Sequence, residues 1–366
     1  MNPEKEQAIK NLLENSFLKR FLDNENVTDI IFNGTTLFVQ DNIKGANKAD
    51  FQPSKEEVLT LGKQIANVQG KEFANSEPIL NTDLSYLRVN FTHTAVSPYG
   101  CTFALRVSKP RLAIKNLEEV ANKEVALLLE ALVKADQNIV ISGKTGSGKT
   151  ELQKRLVGFI SDTKVINIIE DTMDSHIKEL YPEKNIISWR TLTENSRDNK
   201  IDYGTLIESS LRNNPDWLIV AETRGSEAYH MLNAALTDHS IITTIHAKTA
   251  EAIPSRILSM IGQKYQINEI LKGKEITDTL RFGIYMEMEQ TEQGIKRFIR
   301  QIVEFTDFTN KGAVSIPIYR VEEGYDEKTQ QYKKMIITNP LSHETIQQLK
   351  NKRLYHLVPE KFLPKN

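Results

Sequence analysis

Gly143-Lys144-Thr145-Gly146-Ser147-Gly148-Lys149-Thr150 fits G-x-x-x-x-G-K-[ST], the loop that cradles nucleotide phosphates. Its glycines let backbone N–H groups turn inward around phosphate oxygens. Lys149 is placed to reach the β- and γ-phosphates, and Thr150 to hold Mg²⁺. Before the loop, Asn138-Ile139-Val140-Ile141-Ser142 reads as a short buried strand. After it, Leu152, Leu156, Phe159 and Ile160 recur at helical spacing. Strand, glycine loop, helix puts a helix N-terminus under the phosphate. A glycine-rich surface loop is the plain alternative, and the flanking strand and helix argue against it.

The chain has 366 residues, enough for two domains. Hydrophobic residues at 39% and charged residues at 26% are ordinary for a soluble globular protein. A net charge of -1 gives no global basic field, so strong sequence-independent nucleic-acid binding is not indicated, and direct contact through a local patch stays open. Cys101 is the only cysteine, which excludes an intrachain disulfide and a zinc site of paired cysteines. No apolar run approaches the roughly 20 residues that span a bilayer. The N-terminus lacks the pattern of a signal peptide. The expectation is a cytoplasmic protein without a transmembrane segment, held at the inner face of a membrane by partners.

Around the loop the elements sort into two groups. Residues 1–110 read as an α+β N-terminal domain. It starts with one helix over Pro3 to Leu22 and a hairpin about Asn33-Gly34. A helix follows, capped by Ser54 and Glu57, and then strands near Tyr86–Thr94 and Thr102–Val107. Residues 111–122 read as a linker. From 123 to 366, strands at Lys164–Ile169, Trp217–Ala221 and Ile241–Ile245 alternate with helices, which implies a mostly parallel sheet. From about Arg281 the pattern turns β-rich.

Hydrolysis needs more than a phosphate loop: an acid on a neighbouring strand, oriented water, and a γ-phosphate sensor. The apolar strand Trp217–Ala221 ends in Glu222, at the strand tip where open α/β sheets place ligands. Glu222 is the first candidate for the Mg²⁺ shell or for polarising water. A second apolar strand ends in Glu170 and Asp171, where a general base could stand. Which of Glu170 and Glu222 takes the proton stays open. His239 and His246 bracket the strand Ile241–Ile245, which favours γ-phosphate sensing over two unrelated exposed histidines.

The order of these pieces resembles the type II/type IV secretion ATPases. The phosphate loop, Ile169-Glu170-Asp171-Thr172, Leu211-Arg212-x-x-Pro215-Asp216 running to Glu222-x-Arg224-Gly225, and His239 through Thr244-Ile245-His246-Ala247 look like that family's four motifs. The resemblance implies a RecA-like P-loop ATPase domain and a smaller N-terminal α+β domain. It also implies a homo-oligomeric ring, expected as a hexamer, with ATP bound between the two domains. Tyr86-Leu87-Arg88-Val89 and Leu105-Arg106-Val107 are similar to strands bearing nucleotide-facing arginines, so Arg88 and Arg106 are carried over as phosphate contacts. Arg224, Arg212 and His239 are expected as sensing or coupling residues, and His246, which shares the sensing role, as a catalytic residue with Glu170 and Glu222. Four positions depart from the usual pattern: Ala221, Asp238, Asp174 and Lys144. Asp238 stands where the family usually has Gly, and Asp tolerates a positive φ better than most residues. The absent cysteine pairs favour the conjugation, type IV secretion or tight-adherence pilus branches.

The expected protein is therefore a ring-forming, ATP- and Mg²⁺-dependent ATPase that powers a membrane-embedded secretion, conjugation or pilus machine. The rivals are a RecA-like nucleic-acid motor and a nucleotide-dependent scaffold that does not hydrolyse.

Overall fold

The computed structural model describes residues 3–84, 86–192, 201–292, 294–327 and 330–364. The chain divides into two compact units. The first holds Met1–Pro110 with Glu289–Lys296, and the second holds Arg111–Met288 with Arg297–Asn366.

The first unit is built on an antiparallel sheet of β1 (Val27–Phe32), β2 (Leu37–Asp41), β3 (Gly45–Lys48), β4 (Ile79–Leu84), β5 (Leu87–Thr92) and β6 (Thr102–Val107), in the order β3-β2-β1-β6-β5-β4. Along β5 and β6 buried residues alternate with more exposed ones, as expected of a sheet covered on one face. The helix Lys55–Gln69 lays Val58, Leu61 and Ile65 into the same core. Ser54 and Glu57 form the expected capping box, and Gly70 closes the helix in a left-handed conformation. Asn33 Oδ1 accepts from Thr35 N and Thr36 N, which turns β1 into β2. The first helix stops at Glu14 rather than Leu22, and a single turn resumes at Lys19–Leu22. Ser16 explains the break: its Oγ accepts from Leu18 N and donates to Leu13 O, competing with the helical ladder.

The second unit carries a nine-stranded sheet. Its strands are β7 (Ile139–Gly143), β8 (Val165–Glu170), β9 (Asn185–Arg190), β10 (Trp217–Thr223), β11 (Ser240–Ile245), β12 (Phe282–Thr291), β13 (Gly294–Thr309), β14 (Gly312–Asp326) and β15 (Gln331–Thr338). Their order is β15-β14-β13-β12-β7-β11-β10-β8-β9. From β12 to β9 every neighbouring pair is parallel, whereas β13–β14 and β14–β15 are antiparallel. The β-rich end of the chain therefore extends this sheet through β12.

The central strands are buried on both faces. Ile139 and Ile141 enter one core while Val140, between them, enters another, and Trp217, Ile219 and Leu218, Val220 divide the same way. The stretch 111–122 packs on this unit: Ile114, Leu117 and Val120 are buried in its core, and Lys154 Nζ donates to Arg111 O. Among the described residues, no helix is long and apolar enough to cross a membrane.

Candidate active site

β7 ends in the phosphate loop. Gly143 has φ 152°, and a Cβ there would stand 2.5 Å from Met286 O and 2.6 Å from Ser147 Oγ, so only glycine fits. Gly148, at φ 93°, leads directly into the helix Lys149–Val157. Lys149 is buried, and its Nζ donates to Gly143 O at 3.0 Å and Lys144 O at 3.1 Å. Burial pulls its pKa down, Glu222 opposes that shift, and Arg224 adds to it. Ser147 Oγ is buried without a hydrogen-bond partner. An ammonium resting on loop carbonyls and an orphaned hydroxyl fit a loop that receives phosphate oxygens. Thr150 is exposed at the start of the helix.

Glu222 is aimed by an irregularity in its strand. The β10–β11 register slips between Val220 and Thr223, re-directing the side chains there. The carbonyls this releases are taken up: Gln153 Nε2 donates to Val220 O and Ile242 O, and Thr244 Oγ1 donates to Ala221 O. Glu227 accepts from Arg224 N and Gly225 N and so fixes the turn after β10.

A chain of polar contacts then crosses the tips of four adjacent strands. His246 Nδ1 lies 3.2 Å from Gly143 O, and its Nε2 lies 3.1 Å from Glu222 Oε1. Arg224 donates to Glu222 Oε2 at 2.8 Å and to Asp171 Oδ2 at 3.0 Å. Burial pushes the Glu222 carboxyl up, but Arg224, His246 and Lys149 together outweigh it and hold the pKa below the ordinary range. Glu222 stays ionised.

Glu170 differs. It is 2% exposed, and its Oε1 accepts from Ser175 N. Burial raises its pKa to about 7 despite the Ser175 hydrogen bonds, with Asp174 and Asp171 adding repulsion. Its strand is three places from β7, roughly 14 Å across the sheet at the usual strand spacing, whereas that of Glu222 is two places away.

The remaining candidates lie elsewhere. His239 precedes β11 and His246 follows it, so the two stand at opposite ends of a strand roughly 20 Å long. His239 Nδ1 sits against Ala234 O and Thr237 Oγ1, and the preceding Asp238 has φ 68°. Arg212 is exposed in the turn before β10, at the same far end of the sheet. Neither is brought to the phosphate loop of its own chain. Arg88 and Arg106 face each other in register in the first unit, with Asp83 opposite Arg88 and Asp29 opposite Arg106. This row of two acids flanking two arginines balances its own charge, and Arg106 Nε reaches Asp29 at 3.3 Å.

Gln153 and Thr244 were not legible as site residues, because their roles depend on the bulge in β10. Among the described residues, no group of three or more His, Cys, Asp or Glu side chains could hold a metal ion. Thr150 and Glu222 fit a Mg²⁺ ion only if it arrives on the phosphates, the usual manner for this hard, hydrated cation.

The family model described as "Type II/IV secretion system protein" matches residues 79–279. An uncharacterised protein of Bacillus anthracis is 29% identical over 367 residues, covering 97% of this chain and 80% of its own. The type IV secretion system protein VirB11 of Bartonella quintana is 26% identical over 278 residues, covering 64% of this chain and 76% of its own. The structure is similar in fold to the Legionella pneumophila ATPase DotB, with TM-score 0.57 and 21% identity over 80% of this chain and 78% of that one. The pilus retraction motor PilT with bound ADP gives TM-score 0.52 and 18% identity over 94% and 88%.

Proposed function

The chain belongs to the type II/IV secretion system protein family, and from that premise we propose that it is a cytoplasmic, ring-forming ATPase driving a membrane-embedded secretion, conjugation or pilus machine. The observation that carries this reading is the polar chain from Gly143 through His246, Glu222 and Arg224 to Asp171, beside the phosphate loop. The parallel strands β12 to β9, with the loop after β7, support a RecA-like ATPase domain.

In this reading Lys149 leaves the loop carbonyls for phosphate oxygens, and the N–H groups of the loop complete the cradle. Thr150 and Glu222 would hold a Mg²⁺ ion arriving with ATP, which would supply charge neutralisation on the phosphates. Glu222, ionised and fixed by Arg224 and His246, orients the attacking water. Phosphoryl transfer asks for positioning more than for a strong base, so a low pKa does not disqualify it. Glu170, sealed and bound to Ser175 N, is a positioning residue that fixes the tip of β8. His246 senses the γ-phosphate through its contact with Glu222. Arg88 and Arg106 keep a phosphate-contact role on the family resemblance alone. Arg212 and His239, far from the loop of their own subunit, couple neighbouring copies in a homo-oligomer expected to be hexameric.

ATP turnover measured against protein concentration, with mass in parallel, tests this. A ring-sized species whose turnover rises on assembly, and is lost in Lys149→Ala, is the expected result. Binding of ATP without turnover, with or without membrane fractions and at every oligomeric mass, would reduce the protein to a scaffold.

A further inference from the structure

β12 lies beside β7 on the side away from β11, so the phosphate loop has a second wall facing neither Glu222 nor His246. Arg297, on β13, belongs to that wall. Its Nε donates to Gly146 O at 2.7 Å. Its Cδ lies 3.4 Å from where a Cβ of Gly148 would stand, and Met286 Cε lies 3.6 Å from the same point. The loop is thus held from outside by a guanidinium through one of its carbonyls.

That carbonyl belongs to the peptide joining Gly146 and Ser147, and the described chain contains no cis peptide bond. In a trans peptide the C=O and the following N–H point in opposite directions. Holding Gly146 O outward therefore turns Ser147 N–H to the inside of the loop. There it donates to Lys144 O at 3.2 Å, the same carbonyl that receives Lys149 Nζ at 3.1 Å. One inward carbonyl oxygen thus collects a backbone donor and the loop lysine, two donors of the kind a phosphate oxygen attracts in such a loop.

We propose that Arg297 is a positioning residue for phosphate binding: by clamping the Gly146 carbonyl it keeps the Ser147 N–H aimed into the loop before nucleotide arrives. The inference rests on the nucleotide-site reading above. A preset donor stabilises bound phosphate and saves the ordering that a slack loop would require. The clamp acts from the β12 side of β7, opposite the β11 side on which Glu222 lies, so its loss falls on nucleotide binding rather than on the chemical step.

Binding of a fluorescent ADP and steady-state ATP hydrolysis, on wild type, Arg297→Met and Arg297→Lys, test it. Methionine keeps an unbranched stem against Gly148 and removes the donor; lysine restores a donor. The expected result is a rise of about tenfold in Kd for ADP and in KM for ATP in Arg297→Met, the scale of one charged hydrogen bond, with kcat within about threefold and most of the loss recovered in Arg297→Lys. Wild-type affinity in Arg297→Met, a loss confined to kcat, or no recovery in Arg297→Lys would each overturn the proposal. Wild type that binds no ADP would overturn the nucleotide-site reading as well, and that outcome is read before any variant is compared.

Discussion

The parallel strands of the second unit end differently at their two edges. At the edge where they begin, polar groups are settled. Asp216 accepts from Lys164 Nζ and Val165 N, Asn138 Oδ1 accepts from Ile241 N, Ser240 Oγ donates to Asp136 O, and His239 rests on Ala234 O. At the edge where they finish, groups are poised instead. Ser147 Oγ lacks a partner, Lys149 sits on loop carbonyls, Glu170 has a pKa near neutrality, and β10 is bulged at Glu222. One edge closes the fold, and the other holds interactions that a charged ligand would complete. Two of the residues placed by motif resemblance, Arg212 and His239, fall on the settled edge.

The largest expected difference between the edges is in turnover. Lys149→Ala should lower ATP hydrolysis by about 100-fold or more, the scale of removing a preorganised charge from a transition state. A Lys149→Ala protein with near-normal turnover would end the claim that the poised edge is the reacting one.

Next in size is a stability effect at Glu170. Its folded pKa of about 7 lies above the ordinary 4.5, so the native state keeps a proton that the unfolded chain has lost. That contribution is complete below about pH 4.5 and is lost as pH rises to about 7. At about 1.4 kcal/mol per pKa unit the loss is of order 3 kcal/mol. Glu170→Gln should therefore raise the unfolding free energy at pH 8 by up to about that much, with the gain vanishing toward pH 4.5. Denaturant titrations at the two pH values check it, and an equal gain at both would show that the charge is not the cause.

Arg224→Ala sharpens the comparison further. Arg224 is the first of the groups that pull Glu222 down against burial, so its removal raises that pKa. The acid limb of the kcat/KM profile should move to higher pH, and an unmoved limb would detach Arg224 from the behaviour of Glu222.

The smallest effects belong to the settled edge. Arg212→Ala and His239→Ala should change ADP affinity of the isolated subunit by less than about twofold, as surface substitutions do. Their cost, if they couple copies, should appear only in turnover of the assembled species.

Much of this arrangement was readable in the chain. The phosphate loop, the Glu222 strand and the bracketing histidines announce themselves because each is a local pattern: glycines at fixed offsets, and apolar runs ending in a charge. What the chain concealed is tertiary. β9, Asn185–Arg190, is a short edge strand of mixed polarity and carries no clear period. The β-rich end of the chain could not be placed in the sheet, because nothing local records that β12 pairs with β7. That His246, rather than His239, stands at the phosphate-loop end follows only from the parallel pairing of β11 with β7. Arg297 was invisible for the same reason, since it meets Gly146 across 151 residues of sequence.

The most direct test of the central claim is binding and turnover of ATP measured in the same samples of wild type and Glu222→Gln. Near-normal ATP affinity in both, with turnover in Glu222→Gln reduced by about 100-fold or more, is the predicted result: the poised edge would then hold nucleotide through the loop and act on it through Glu222. Undiminished turnover in Glu222→Gln would contradict the account and move the chemistry elsewhere.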